Sequence, residues 1–273
     1  MPMHDAAMPL TGGHPDWLRP DSLPANVGAV MGTRAGGVSQ GPFAGLNLRP
    51  PELPAAEPVD EPAAAWANRQ HFAQALEGAH AVYLHQVHGT EVVRLGPQHR
   101  AASASAVQTL PVADASITTE QGVACTVLVA DCLPVLFAVA DGSGVGAAHA
   151  GWRGLAAGVL EATLAALYEA RQAAPAQVHA WLGACIGPQR FEVGEEVRQA
   201  FLQAGGPGTC FVPTGVPGKW WANLPGLAHH RLRQAGVQHI SGGLWCTASE
   251  PSRFFSFRRD RITGRHAAAI WRR

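Results

Sequence analysis

The sequence has no apolar run of about 18 or more residues that is free of glycine, proline and charge, which argues against a membrane-spanning helix. Its start, MPMHDAAMPLTGGHPDW, lacks the basic segment followed by an apolar core that marks a secretory signal peptide. The five cysteines are too few and too scattered for a disulfide framework. These absences predict a cytoplasmic protein in a reducing compartment, without a membrane partner.

Excess charge of either sign is also absent, because 20 Lys and Arg residues balance 20 Asp and Glu residues. A net charge of zero argues against a general electrostatic grip on nucleic acid, although it leaves room for a local anion pocket. Hydrophobic residues make up 47% of the chain and charged residues 15%, which favours a packed core over disorder. We therefore expect no nucleic-acid partner, and we expect a monomer or weak homo-oligomer.

The 273 residues are predicted to divide into an irregular N-terminal leader, residues 1–26, and one folded domain, residues 27–273. Proline and acidic residues crowd residues 50–62, and small polar residues fill 97–110, so both stretches are predicted to be loops. No internal repeat or linker divides the rest. Strands and helices alternate without a strict βαβ rhythm, which predicts a single-domain α/β fold with a mixed β-sheet flanked by helices.

The middle of the chain has the clearest strand and helix patterns. VACTVLVA, PVLFAVA and VGAAHA are predicted strands, with a hairpin turn at residues 141–144. Pro134 follows the first of them and predicts an interruption there. A helix is predicted from Gly151 to about Arg171, and another over residues 63–76 with Trp66, Phe72 and Leu76 inward. FFSFRRD and HAAAIW are predicted to be closing strands.

Three side chains that bind metals stand where predicted strands end or are interrupted. Cys132 follows the first middle strand, His149 ends the third, and His88 precedes Gly89 between two short β-rich runs. The hairpin should return His149 to the end of the sheet where Cys132 lies. A cysteine and two histidines are suitable zinc ligands, and three protein ligands leave a fourth position open, as in catalytic sites.

Other interpretations of these residues remain open at this point. Most lone cysteines are buried and inert, so Cys132 alone favours a structural role. Cys132 and His149 also suit a metal-free pair of nucleophile and base. No compact metal-binding motif is present, and His85 competes with His88. Arg153, in the glycine-rich turn Gly151–Gly154 that opens a helix, could hold an anion, although a plain turn with an exposed arginine is equally compatible.

Several motifs in order resemble those of one family. They are TRAGGVSQGPFAGLNL (33–48), HQVHGT (85–90), ADCLPVLF (130–137), GAAHAGWRGLAAGVLE (146–161), IGPQRFEVGEEV (186–197) and FFSFRRDRITGRHAAAIW (254–271). Together they resemble the YfiH-like family, also called the laccase-domain or multicopper polyphenol oxidase family, whose members are described as purine nucleoside phosphorylases. The resemblance covers the chain from about Val27 to its C-terminus.

The resemblance implies a single-domain α/β fold and a zinc ion held by His88, Cys132 and His149, which would also be the catalytic residues. It implies substrate or phosphate binding by Arg153, Asn47 and Arg34. Copper is a less favoured metal, because a multicopper site needs more histidines. Where relatives carry a His-x-Gly-Asp segment, this chain has the proline-rich stretch after Leu48, and Asn223 replaces a common aspartate.

The implied reactions are phosphorolysis of adenosine, inosine, guanosine and S-methyl-5'-thioadenosine, together with deamination of adenosine. Three alternatives remain. Some members are linked to cell-wall quality control and remove L-Ser from UDP-MurNAc-L-Ser, and others were named copper oxidases of phenols. The third alternative is a non-catalytic protein that binds a metal or a partner.

Overall fold

A computed structural model describes residues 12–54, 58–100 and 110–273. Parts of the predicted leader and of the two predicted loops, namely residues 1–11, 55–57 and 101–109, lie outside the described residues. No helix among the described residues is long and apolar enough to cross a membrane.

The described ranges hold thirteen strands and six α-helices. The strands are β1 (Val27–Met31), β2 (His80–Val82), β3 (Val92–Leu95), β4 (Ala115–Thr118), β5 (Val123–Val129), β6 (Leu133–Val139), β7 (Val145–Ala150), β8 (Val178–Leu182), β9 (Glu192–Gly194), β10 (Phe211–Pro213), β11 (Lys219–Ala222), β12 (His239–Gly242) and β13 (His266–Arg272). The helices are α1 (Pro62–Gln74), α2 (Trp152–Ala157), α3 (Val159–Arg171), α4 (Glu195–Gln203), α5 (Leu224–Gln234) and α6 (Phe257–Asp260).

The strands form three sheets, of which the two larger ones are mixed. The six-stranded sheet has the order β12-β8-β6-β7-β4-β3, with parallel pairs at both edges and antiparallel pairs between them. The four-stranded sheet has the order β1-β13-β5-β2, and only its β5–β2 pair is parallel. Strands β10, β11 and β9 form a small antiparallel sheet. The prediction of a single-domain α/β fold with mixed sheet and flanking helices is confirmed, with the strands divided among these sheets.

The two mixed sheets pack face to face, and helices cover their outer faces. Alternation along β5 produces this arrangement, because Val127 and Val129 pack against β6 and β7 whereas Leu128 packs with Phe72 of α1. Helix α3 covers the other side of the six-stranded sheet through residues such as Leu164. A residue at the end of β5, β6 or β7 is therefore held between two cores, which makes its position rigid.

The predicted middle strands are confirmed as β5, β6 and β7, but three other local predictions are wrong. Trp66 is 52% exposed, since the inward face of α1 runs through Ala65, Asn68 and Phe72 at helical spacing. The helix predicted from Gly151 to Arg171 is two helices, because Gly158 adopts a left-handed φ of 105° between them.

The third error concerns FFSFRRD, which is not a strand. Phe254, Phe255 and Ser256 are buried without strand pairing, and the Ser256 hydroxyl caps the short helix α6 by accepting the Arg259 N–H. A run of aromatic residues is typical of a strand, but the serine cap favours a helix start here. Leu76 and Phe72 are buried as predicted.

The described part of the leader is tied to the fold. Trp17 and Leu18 are buried, and Leu18 exchanges two backbone hydrogen bonds of 2.9 Å with Met31. A domain boundary at residue 27 stays a prediction.

His266 at the start of β13 fixes the loop that leads into α6. Its ring is fully buried, and Nε2 accepts the Phe255 N–H at 2.8 Å. Burial, with the positive charge of Arg34, lowers the pKa of His266 to about 3. In the unfolded chain the imidazole ring of His266 is protonated near pH 6.5. Between pH 6.5 and about 3, this ring is therefore charged in the unfolded chain and neutral in the folded protein.

Stability is therefore expected to fall with pH below 6.5 because of His266. The lowered folded pKa means that its contribution is fully present above pH 6.5 and is lost progressively as pH falls toward about 3. Between pH 7.5 and 5 the loss should be about 2 kcal/mol. Urea unfolding at both pH values, with wild type compared with His266→Asn, isolates this contribution. Equal pH dependence of the two proteins would contradict it.

Candidate metal centre and its cavity

Three side chains from separate segments meet at one edge of the six-stranded sheet. Cys132 lies in the bend between β5 and β6, and His149 is the penultimate residue of β7. The β6–β7 register pairs Pro134 with His149, which places the start of β6 beside the end of β7. His88 belongs to the irregular segment between β2 and β3. One ligand atom from each of His88, Cys132 and His149 lies within 4.8 Å of the others.

A buried aspartate, which sequence analysis missed, organises both histidines. Asp114 is 0% exposed, and its carboxylate accepts the backbone N–H groups of Val87 (3.1 Å), His88 (2.9 Å) and Gly89 (2.6 Å). The same carboxylate lies 2.8 Å from Nδ1 of His149. This bond leaves Nε2 of His149 to face the other ligand atoms. One side chain therefore fixes the backbone of His88 and the ring of His149.

The carboxylate stays charged in this buried position. Burial alone would raise the pKa of Asp114, but the hydrogen bonds from His149 and from the N–H groups of Gly89 and Val87 outweigh it and lower that pKa. In the sequence, Asp114 is simply an aspartate that directly precedes the residues of the buried strand β4. Aspartates in such positions are too common to indicate that this one orients metal ligands.

Left-handed backbone conformations shape the site. His88 has a φ of 63° and Asp131, next to Cys132, a φ of 91°. Non-glycine residues rarely adopt these angles, and they persist where surrounding contacts impose them. Gly151 leaves the space that the ligands need, because a Cβ atom there would lie 2.7 Å from Cδ2 of His88 and 3.1 Å from Sγ of Cys132.

Asp131 holds the bend that carries Cys132. Its carboxylate accepts the hydroxyl groups of Thr247 (2.6 Å) and Ser256 (3.0 Å) and the N–H of Arg258 (2.6 Å). Its carbonyl oxygen accepts the N–H of Ile186 at 2.9 Å. The bend is therefore fixed to two other segments of the chain, which accounts for the left-handed conformation of Asp131.

The donor set suits zinc. Tetrahedral zinc, with Zn–S of about 2.3 Å and Zn–N of about 2.0 Å, separates a sulfur and a nitrogen ligand by about 3.5 Å. Sγ of Cys132 and Nε2 of His88 are 3.8 Å apart. His149 is 3% exposed, whereas His88 is exposed and Cys132 half-buried. A metal ion held by these three atoms would thus be covered by protein on the side of His149 and open to an incoming substrate on the side of His88. No other cluster of this kind occurs in residues 12–54, 58–100 and 110–273.

The electrostatics favour a thiolate at Cys132. Burial alone would raise the pKa of this thiol, but the charge and hydrogen bond of His149, joined by those of His88, outweigh burial and lower it. Burial would lower the pKa of His149, but the Cys132 thiolate and the Asp114 carboxylate outweigh it and raise that pKa. The thiolate is the form of cysteine that binds a metal, and His149 would release its proton on metal binding.

The three side chains open into a cavity of about 440 Å³. That volume lies in the range of small-molecule sites. Its other walls include Phe43, Phe257, His85, Arg49 and Arg265. The aromatic rings suit a planar ligand, and the cations suit an anion that is part of that ligand or is bound beside it.

The three residues predicted to bind substrate or phosphate do not line this cavity, and their role stays a prediction. Arg153 is exposed and packs over Trp152 at 4.4 Å. Arg34 donates to the carbonyl oxygens of Ala44 (3.2 Å) and Pro251 (3.0 Å).

Asn47, the third of these residues, is connected to the cavity indirectly. It is 1% exposed, and its Oδ1 accepts the backbone N–H groups of Arg49 (3.2 Å) and Arg265 (2.9 Å). The buried side chain of Asn47 therefore holds the backbone of both arginines in the cavity wall, Arg49 and Arg265. Arg49, just before the proline-rich stretch, carries no sequence signal. Arg265 belongs to a basic cluster with Arg258, Arg259 and Arg261. The pattern of that cluster is compatible with an anion site but more typical of a solvated surface.

Comparison with known proteins identifies the family of this chain. The family model described as multi-copper polyphenol oxidoreductase laccase matches residues 28–273. A purine nucleoside phosphorylase of Pseudomonas aeruginosa is 45% identical, over 93% of this chain and 98% of its own length. The purine nucleoside phosphorylase YfiH of Escherichia coli is 42% identical, over 94% and 97%.

Solved structures show the same fold. A Neisseria meningitidis protein of family DUF152 superposes with a TM-score of 0.81 at 42% identity, over 94% of this chain and 99% of that one. YlmD from Geobacillus stearothermophilus superposes with a TM-score of 0.84 at 31% identity, over 97% and 99%. The fold that contains this cavity is therefore found in several bacterial proteins.

Proposed function

The chain belongs to the multi-copper polyphenol oxidoreductase laccase family, and from this premise we propose that it is a zinc-dependent purine nucleoside phosphorylase. The proposed substrates are adenosine, inosine, guanosine and S-methyl-5'-thioadenosine, with deamination of adenosine as a second activity. The observation that carries the proposal is the cavity in which the metal-ligand triad faces two arginines and two aromatic rings. Several relatives bear the name purine nucleoside phosphorylase.

Phosphorolysis requires an anion to be held against the sugar. An oxygen of inorganic phosphate forms a bond to C1′ of the ribose while the bond from C1′ to N9 of the purine breaks. Arg49 and Arg265 supply positive charge in the cavity wall, and guanidinium groups match the geometry of phosphate oxygens. They are the proposed phosphate-binding residues of the cavity wall, whereas the predicted role of Arg34 and Arg153, which do not line the cavity, stays a prediction.

The direction of both guanidinium groups is fixed by backbone carbonyl oxygens. Nη2 of Arg49 donates to Leu53 (2.9 Å) and Pro54 (2.7 Å), and Nη1 of Arg265 donates to Thr263 (3.0 Å) and Gly264 (3.1 Å). With Asn47 holding both backbones, the two groups are positioned before substrate arrives. Such prior positioning lowers the entropic cost of bringing phosphate to the sugar.

His88, Cys132 and His149 would hold the zinc ion. When bound, zinc would supply a Lewis acid that polarises the bound substrate or a water molecule. Asp114 would keep His149 oriented, and Phe43 and Phe257 would present apolar surface to the purine. A copper oxidase is not favoured, because the triad is the one such cluster in the described ranges and a multicopper centre needs further histidines.

Incubation of the purified protein with inosine, with and without inorganic phosphate, tests the proposal. We expect hypoxanthine and ribose 1-phosphate in equal amounts, and only when phosphate is present, since phosphate is the nucleophile. Chromatography of both products gives the measurement. A parallel incubation with UDP-MurNAc-L-Ser serves as the comparison. Release of serine without any turnover of nucleosides would contradict the proposal and favour the cell-wall amidase.

A further inference from the structure

His85 lies in the wall of the cavity but is outside the ligand triad. Its backbone is fixed, because its N–H donates to the carbonyl oxygen of Pro111 (2.9 Å) and its carbonyl oxygen accepts the N–H of Ala113 (3.2 Å). The next residue, Gln86, is fixed as well, since its side chain bonds both the N–H (2.7 Å) and the carbonyl oxygen (2.8 Å) of Leu128. The half-buried ring of His85 is therefore presented to the cavity from a rigid segment.

Two polar side chains in the cavity wall, the Thr263 hydroxyl and the ring of His85, lack a hydrogen-bond partner in the described ranges. Of the two, only the imidazole ring of His85 is titratable. Within the described ranges it makes no hydrogen bond, ion pair or ring contact, whereas Gln86 is bonded on both sides and His149 is held by Asp114. Buried or half-buried polar groups usually have partners, and one that lacks them in a cavity is typically reserved for a ligand. A ring nitrogen of His85 is thus available to a molecule in the cavity.

Cleavage of a nucleoside also requires a proton donor for the departing purine, a role assigned neither to the triad nor to the arginines. As the C1′–N9 bond breaks, its electron pair moves into the purine ring, which would leave as an anion. Protonation of the ring at N7 removes that charge and lowers the barrier. Histidine is the side chain best suited to donate a proton near neutral pH.

We propose that His85 is the catalytic acid that protonates N7 of the departing purine, a proposal that rests on the proposed phosphorylase function. The imidazolium N–H bond breaks as the N7–H bond forms, and the C1′–N9 electron pair becomes part of the neutral purine. The phosphate loses a proton when it becomes a sugar phosphate ester. That proton restores the imidazolium, so the cycle needs no further reactant.

The test compares two nucleosides that differ in their need for this proton. Guanosine needs protonation at N7, whereas 7-methylguanosine already carries a positive charge there and its base leaves neutral. His85→Gln should lower kcat for guanosine by about 100-fold or more while changing kcat for 7-methylguanosine by less than about threefold. His80→Gln, a change at a half-buried histidine of β2 outside the cavity lining, is the matched control and should affect neither substrate.

Each outcome decides the proposal. Selective loss on guanosine, with zinc content equal to that of the wild type, supports it. An equal loss on both nucleosides would assign His85 to positioning and overturn it, as would full activity of the variant on guanosine. If the wild-type protein cleaves neither nucleoside in the presence of phosphate, the phosphorylase function itself fails, and a variant comparison is not needed to show it.

Discussion

Cys132→Ala is expected to remove zinc from the purified protein and to lower kcat/KM for inosine by about 1,000-fold. Without Sγ, two histidines remain, and zinc sites of the catalytic type use three protein ligands. A bound metal contributes several kcal/mol of transition-state stabilisation, which corresponds to about three powers of ten in rate. Metal analysis and initial-rate kinetics on the same sample give both quantities.

The fold should survive this change. Cys132 is half-buried in a bend that Asp131 holds through its own hydrogen bonds, so removing Sγ should leave the pairing of β5 with β13 and of β6 with β7 intact. Cys210→Ala is a matched control, because Cys210 is also half-buried but lies outside the triad and its cavity. It should keep full zinc and full activity. Full inosine turnover by Cys132→Ala would contradict the role of the triad.

Asp114→Asn is expected to weaken zinc binding by about 10- to 100-fold and to destabilise the protein. Oδ1 of Asp114 meets His149 and the N–H of His88, and Oδ2 meets the N–H groups of Val87 and Gly89. An amide NH₂ group in place of either oxygen faces donors and cannot accept from them. Partners of this kind around metal-bound histidines typically account for that range of affinity.

The accompanying loss of stability follows from the same contacts. A hydrogen bond to a charged group contributes about 1.5–3 kcal/mol, so losing two should lower the free energy of unfolding by about 3 kcal/mol or more. A competition titration with a zinc chelator and urea unfolding measure the two effects. Asp141→Asn is the control, because Asp141 lies in the turn between β6 and β7, outside the triad and its cavity, where its carboxylate accepts the N–H of Ser143 at 2.8 Å. Unchanged zinc affinity in Asp114→Asn would refute the positioning role.

Periodicity in the sequence was enough to predict the central strands. The runs that became β5, β6 and β7 are mostly apolar and bounded by turn residues, so the local sequence pattern and the fold agree. Tertiary packing decided the elements that were wrong. The outward position of Trp66 depends on which face of α1 meets the four-stranded sheet, and the break at Gly158 depends on a single backbone angle. Neither is encoded in a periodic pattern.

The site was predictable in part. From residue type and strand ends alone, Cys132 remained as compatible with an inert core residue or a nucleophile as with a zinc ligand, and the motif resemblance selected the triad. The structure brings His88, Cys132 and His149 together. Asp114 and the pair Arg49 and Arg265 could not be predicted, because their roles arise from contacts between segments distant in the sequence. Such contacts leave no local spacing to recognise.

Zinc content and inosine phosphorolysis, measured on the same samples while metal-depleted protein is titrated with Zn²⁺, test the central claim most directly. If His88, Cys132 and His149 hold a catalytic zinc ion, turnover should rise in proportion to bound zinc and reach its maximum at one ion per chain. Turnover of inosine by protein free of metal, at the rate of the zinc-loaded sample, would contradict the account.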